Sequence, residues 1–190
     1  ASRAPLDLRV NTLKASQDKV LASMKHLGAR ATPWSPWGLR IDLGADARNP
    51  GIHSEEAFIK GGVEVQDEGS QLAALLTGAK PGQQVIDMCA GAGGKTLALA
   101  AMMQGKGRLI ATDHDKRQLA PIHERLSRAG VHNADVRTPR GPDDTLSDIK
   151  ASADLVVIDA PCTGTGTWRR NPDAKWRMRP GALEVRIKDQ

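Results

Sequence analysis

Tyrosine is absent from this 190-residue chain, phenylalanine occurs once, and aromatic residues make up 3% of the whole. That scarcity argues against the RNA-recognition sheet that stacks bases on Phe and Tyr. It also leaves Leu, Ile, Val, Ala and Met to build the core. Cysteine is rare too: Cys89 and Cys162 lie far apart and form no CxxC, and no His/Cys cluster has zinc-ligand spacing. A reduced, cytoplasmic protein without a structural metal is expected. No apolar run is long enough to span a bilayer and no signal-peptide pattern stands out, so no membrane partner is expected. Hydrophobic residues amount to only 39% and mean hydropathy is -0.41. The patterning along the chain is nevertheless that of a globular protein rather than a disordered one.

What the chain does have is a basic balance. Lys and Arg number 27 against 22 Asp and Glu, a net charge of +5. This favours an anionic partner, nucleic acid first. A monomer is expected.

The first part, residues 1–78, reads as a small α/β unit. Leu6 to Leu13 alternates as a strand with Leu8 and Val10 on one face. Ser16 stands as the N-cap of a helix carrying Val20, Met24 and Leu27, and Gly28 ends it. Leu39, Ile41 and Leu43 mark a second strand after the turn Pro33–Trp37. Ser54 caps a short helix to Lys60, Val63 and Val65 form a further strand, and Glu68 to Leu76 is a helix stopped by Gly78. Lys80-Pro81-Gly82 opens the second part, 79–190, where strand, loop and helix alternate as in a parallel sheet. Strands are predicted at Gln84–Met88, Arg108–Thr112 and Leu155–Ile158, with helices at Thr96–Met103 and Asp115–Ala129. Pro121 kinks the latter or sits in its first turn.

The segment Asp87-Met-Cys-Ala-Gly-Ala-Gly-Gly-Lys-Thr96 follows a strand and opens a helix. Small residues let the backbone approach a ligand, and a helix N-terminus offers free N–H groups. A dinucleotide loop needs a third glycine where Thr96 stands, and a Walker A loop needs glycine where Cys89 stands. A purely structural turn is the plain alternative. An S-adenosylmethionine loop fits the short glycine run together with an acid, Asp113, ending the next strand about 20 residues on, the spacing at which such an acid meets ribose hydroxyls.

The most informative stretch is Asp154-Leu-Val-Val-Ile-Asp-Ala-Pro-Cys-Thr-Gly-Thr-Gly-Thr-Trp-Arg-Arg-Asn-Pro172. An apolar strand ends in Asp159, and Pro161-Cys162 follows at once. A cysteine at the carboxyl end of a parallel strand sits where open α/β sheets place ligands. A thiolate there can add to an electron-poor ring carbon, as chemistry at cytosine carbon 5 requires. A buried, inert thiol is the bland alternative. Arg169, Arg170, Lys175, Arg177 and Arg179 follow closely and suit phosphate contacts, or simply a solvated face.

Four blocks together resemble the RNA cytosine-5 methyltransferases of the Sun/Fmu (ribosomal RNA small subunit methyltransferase B-like) family: Leu8–Leu13, Val65–Leu72, Val85–Thr96 and Asp159–Asp173. The resemblance implies a Rossmann-like class I S-adenosylmethionine-dependent methyltransferase sheet, preceded by the family's small RNA-contacting domain. It implies that Cys89, Ala90, Gly91, Ala92, Gly93, Gly94 and Lys95 line the cofactor pocket. Asp113 would hold the ribose, and Asp159 would stand beside the methyl group and the base. RNA would be the partner, ribosomal RNA ahead of tRNA, with Arg169, Arg170 and Lys175 contacting it. The family's acid facing adenine corresponds to Asp135, Asp143 or Asp144, or is lost. Gly91-Ala92 replaces the family's usual Ala-Pro.

In that family the nucleophile is a second cysteine in a Thr-Cys block, and the Pro-Cys cysteine assists product release. Cys162 is then the release residue. No Thr-Cys block occurs in these 190 residues, so the sheet is expected to be incomplete at its C-terminal end and the chain inactive alone. Two readings compete. A DNA cytosine-5 methyltransferase would use Cys162 itself as nucleophile, and a non-catalytic RNA-binding relict would need neither.

Overall fold

The computed structural model describes residues 3–44, 50–138 and 146–190. The first unit comprises β1 (Leu6–Val10), α1 (Gln17–Ser23), β2 (Arg30–Ala31), β3 (Gly38–Ile41), α2 (Glu56–Ile59), β4 (Val63–Val65) and α3 (Glu68–Leu76). Its sheet has the order β2-β3-β1-β4, and every pairing is antiparallel. Alternation in Leu8-Arg9-Val10 puts Leu8 and Val10 into a core with Met24, Leu39, Ile41, Phe58 and Val63. α1 begins after Ser16, as predicted, although the serine hydroxyl makes no cap bond, and Gly28 turns the chain with φ +68°. The short helix predicted from Ser54 instead starts after Glu55, with a 3₁₀ turn at Ile52–Ser54 before it.

The second unit runs β5 (Gln84–Asp87), α4 (Gly94–Met102), β6 (Arg108–Thr112), α5 (Lys116–Leu119), α6 (Ile122–Ala129), β7 (Ala134–Arg137), β8 (Leu155–Val157) and α7 (Ala182–Asp189). Pro121, which lacks an N–H, separates α5 from α6 and is the N-cap of the latter. β7 is an addition to the strands read from the sequence. Only Val136 in it is strongly apolar, and its parallel pairing with β6 is what defines it. The sheet order is β7-β6-β5-β8, all parallel. One face packs on Leu97, Leu99, Met103, Leu119, Ile122 and Leu126, and a smaller cluster, Ile86, Ile110 and Ile149, covers the other.

The two units share a polar, buried seam. α3 packs against both β1 and α4. Asp7 and Arg9, which alternate with Leu8 and Val10 as residues of a solvent face would, are each 1% exposed. Asp7 takes both Nε and Nη2 of Arg40, at 2.7 and 2.8 Å. Glu64 on β4 accepts from Arg125 (3.0 Å) and Arg128 (2.5 Å) of α6. Asn11 donates to the carbonyls of Gly61 and Ala129, both at 2.8 Å.

Candidate active site

The chain leaves β5 toward β6 on one side and later returns to β8 on the other. A sheet of this order opens a crevice at the carboxyl ends of the two diverging strands, where open α/β folds bind ligands. Here the crevice lies between the loop after β5 and the turn after β8, which are the two motifs singled out in the sequence.

Asp87 ends β5 and is fully buried. Its Oδ2 accepts from the Thr96 hydroxyl at 2.7 Å, whereas Oδ1 is buried without a hydrogen-bond partner. Burial pushes its carboxyl up to about 6, and the charges of Asp159 and Asp113 add to this against Thr96 and Lys95. Cys89 is half-buried, and burial first, then the same acids, raise its thiol, so it stays protonated at neutral pH. Ala90 N–H donates to Thr112 O at 3.0 Å, tying the loop to β6.

Two glycines of the loop serve different ends. Gly93 has φ +84°, and a Cβ there would stand 2.5 Å from Ile122 Cγ1, so α6 packs directly on the backbone. Gly91 has φ +50° with nothing within 4 Å of where a Cβ would be, which leaves open space before the loop. Asp113, just past β6, accepts from Gly91 N–H and Asp115 N–H, both at 2.9 Å. Ala92 is exposed, and its carbonyl accepts from Arg125 Nη1 at 2.7 Å. Gly94 and Lys95 open α4.

Lys95 joins the two halves of the crevice. Its ammonium donates to Asp159 Oδ2 at 2.6 Å and to Ser70 Oγ of α3 at 3.0 Å. Beyond Asp159, Cys162 is exposed, and Gly164 N–H points at its sulfur at 3.4 Å. It borders a cavity of 550 Å³ also lined by Arg177, Arg179 and Arg186. Arg170 lies elsewhere, ion-paired to Asp67 and 3.8 Å from Asp7, against the first unit. Arg169 Nη2 donates to Arg3 O at 3.4 Å on the same side. Lys175 stands 4.8 Å over the Trp176 ring.

Asp135 lies within β7, bound by Arg108 (3.1 Å) and Arg137 (3.0 Å), rather than beyond the strand. Asp143 and Asp144 are outside the described residues. Among the described residues no group of three or more His, Cys, Asp or Glu could hold a metal ion, and no helix is long and apolar enough to cross a membrane.

A parallel sheet of this order, with a glycine loop after its first strand, an acid after its second and an Asp-Ala-Pro-Cys turn after its fourth, has the Rossmann-like architecture of class I S-adenosylmethionine-dependent methyltransferases. The family model for 16S rRNA methyltransferase RsmB/F matches residues 74–190, and the chain belongs to that family. It is 35% identical over 185 residues to ribosomal RNA small subunit methyltransferase B of Sodalis glossinidius, covering 95% of this chain and 41% of that protein. The chain therefore spans less than half the length of the curated relatives it matches. The crystal structure of PH0851 superposes with a TM-score of 0.85 at 30% identity, covering 97% of this chain and 41% of that one. A methyltransferase homolog protein from Pyrococcus horikoshii gives 0.72 at 28% identity, with coverages of 94% and 62%.

Sequence reasoning missed Ser70, Gln66, Glu64 and Arg125. Ser70 and Gln66 fall inside the Val65–Leu72 block, so their position carried a signal, but nothing in the spacing said that they face the second unit's loop.

Proposed function

We propose that this chain is the cofactor-binding and base-positioning part of an enzyme that transfers a methyl group from S-adenosylmethionine to carbon 5 of a cytosine in RNA, ribosomal RNA ahead of tRNA. The observation that carries this reading is the 2.6 Å contact between Lys95 and Asp159, which brings the glycine loop and the Pro-Cys turn to one point. The similarity to small-subunit rRNA methyltransferases supports RNA as the substrate.

The residues fit the cofactor. Gly91 leaves room for a ligand, Asp113, whose two oxygens each accept one backbone N–H and keep a further lone pair, would take ribose hydroxyls, and the unpartnered Oδ1 of Asp87 suits a cationic amino-acid end. When bound, S-adenosylmethionine supplies an electrophilic methyl group. The chain's own residues do the rest. Cys89 to Lys95 shape the pocket, and Asp159 holds the cytosine edge beside the reacting carbon. Arg169, Arg170 and Lys175 receive the RNA backbone, Arg170 exchanging its carboxylate partners for phosphate. A flipped or single-stranded cytosine is required.

Addition of a thiolate to carbon 6 makes carbon 5 nucleophilic. After methylation Cys162 assists the step in which the carbon 5 proton leaves and the carbon 6–sulfur bond breaks. The adding cysteine belongs to a Thr-Cys pair, which these 190 residues lack, so the chain alone gives no turnover. Residues 1–78 contact RNA and 79–190 bind cofactor, in a cytoplasmic monomer without metal.

Transfer of labelled methyl from S-adenosylmethionine to unmodified small-subunit rRNA by the full-length protein tests this reading. 5-Methylcytosine in digested RNA is the expected product. Methylation of DNA alone, or at a base nitrogen, would refute it.

A further inference from the structure

The first unit reaches into the cofactor loop through one hydroxyl. Ser70 Oγ accepts from Lys95 Nζ at 3.0 Å and from Gln66 Nε2 at 3.3 Å, which occupies both of its lone pairs. Gln66 Oε1 in turn accepts from Arg9 Nε at 2.6 Å, and Arg9 is 1% exposed in the middle of the first sheet. A line of hydrogen bonds thus runs from β1 through Gln66 and Ser70 to Lys95 and Asp159.

The helix that carries Ser70 is itself held at successive positions. Glu68 takes the N–H groups of Trp34 and Ser35, at 2.8 and 3.0 Å. Gln71 donates to Leu8 O at 3.1 Å and to Gln66 O at 2.9 Å. Asp67 caps the helix through Gly69 N–H at 2.9 Å. The Ser70 hydroxyl is therefore a fixed point. Lys95, by contrast, carries its charge on a flexible four-carbon stem, and its other partner, Asp159, has a side chain 57% exposed. An ion pair with one partner so exposed holds geometry weakly. A second, immobile acceptor restricts the ammonium to one place, and precise placement of a polar group is worth orders of magnitude in rate.

We propose that Ser70 is a positioning residue that sets Lys95, and through it Asp159, for methyl transfer. The first unit is thus part of the catalytic geometry as well as an RNA contact. This inference rests on the function proposed above.

Its test uses the full-length protein as wild type, Ser70→Ala and Ser70→Thr, with kcat, KM for RNA, melting temperature and S-adenosylhomocysteine binding measured for each. Ser70→Ala should lower kcat about tenfold, the effect of losing one charge-assisted hydrogen bond. RNA KM and melting temperature should hold, and Ser70→Thr, which keeps the hydroxyl, should recover most of the rate. In a Lys95→Met background Ser70→Ala should cost nothing further, because its route of action is gone. A kcat within twofold of wild type overturns the inference. So do equal losses in the Ala and Thr variants, or additive losses in the double variant. That last comparison also decides the matter if Ser70→Ala folds less stably. A wild-type protein that binds no S-adenosylhomocysteine would sink the proposed function and this inference together. Normal binding and turnover with an indifferent Ser70 would sink this one alone.

Discussion

Asp87 carries a pH signature that a single substitution exposes. Its carboxyl is fully buried, half-satisfied by Thr96, and raised from 3.8 to about 6, chiefly by burial. A rise of that size corresponds to ~3 kcal/mol. Below pH 3.8 folded and unfolded chains both hold the proton, and Asp87 adds no pH dependence. Between 3.8 and about 6 the unfolded chain loses its proton first, so the folded state binds more protons and stability falls as pH rises. Above that window the whole ~3 kcal/mol stands as a constant cost of keeping a buried charge. Asp87→Asn keeps the shape and an oxygen for the Thr96 hydroxyl but cannot ionise. It should therefore exceed wild type in stability by up to ~3 kcal/mol at neutral pH, with the margin shrinking to nothing near the bottom of the window. Urea unfolding of both proteins across the acid to neutral range, with equal m-values, gives the difference directly. A margin that is flat with pH, or that grows on acidification, would refute the assignment. A ligand that brings an ammonium group to Oδ1 favours the ionised form. Binding of S-adenosylhomocysteine near pH 6 should accordingly release protons, seen as a buffer-dependent enthalpy.

Four further outcomes are expected. Asp113→Ala should weaken S-adenosylhomocysteine binding about tenfold or more, as loss of hydrogen bonds to a charged acceptor does, and calorimetry showing unchanged affinity would mean the ribose lies elsewhere. Changing Arg169 and Arg170 together to Ala should lower RNA affinity and flatten its dependence on salt; an unaltered slope would leave these arginines as struts against the first unit. In the full-length enzyme Cys162→Ser should still add to cytosine but fail to release it, leaving a protein–RNA species on denaturing electrophoresis. Loss of that species would instead make Cys162 the nucleophile. Glu64→Gln should destabilise the fold by roughly 3–5 kcal/mol, because Arg125 and Arg128 lose their shared buried carboxylate, and a melting temperature near wild type would contradict this.

The crevice was legible in the sequence because its parts are local. A glycine run between strand and helix, an acid one strand later and a Pro-Cys turn each depend on a few adjacent residues whose backbone needs are distinctive. The seam was not legible, because its residues are partners only in space. Arg9 alternates with Leu8 and Val10, as a solvent-facing residue would, and only the packing of α3 over that face buries it. Ser70 and Lys95 stand 25 residues apart and meet through helix packing that no periodicity announces. β7 escaped for a related reason: Ala134-Asp-Val-Arg137 alternates too briefly to signal a strand, and β6 supplies the pairing that makes it one. The split of the Asp115–Ala129 helix at Pro121, by contrast, follows from one residue's missing N–H.

Glu64 has a consequence for how the chain is made. Its two arginine partners lie 61 and 64 residues downstream. At about 5–20 residues per second of synthesis, its carboxylate emerges roughly 3–13 s before Arg128 does. Through that interval the first sheet can close its apolar core and Arg9, opposite Glu64 on β1, can offset its charge, but the two guanidinium groups that hydrogen-bond the carboxylate are missing because α6 does not yet exist. The first unit therefore waits, with the Glu64 carboxylate still wet, for a helix whose first arginine partner is made 61 residues later.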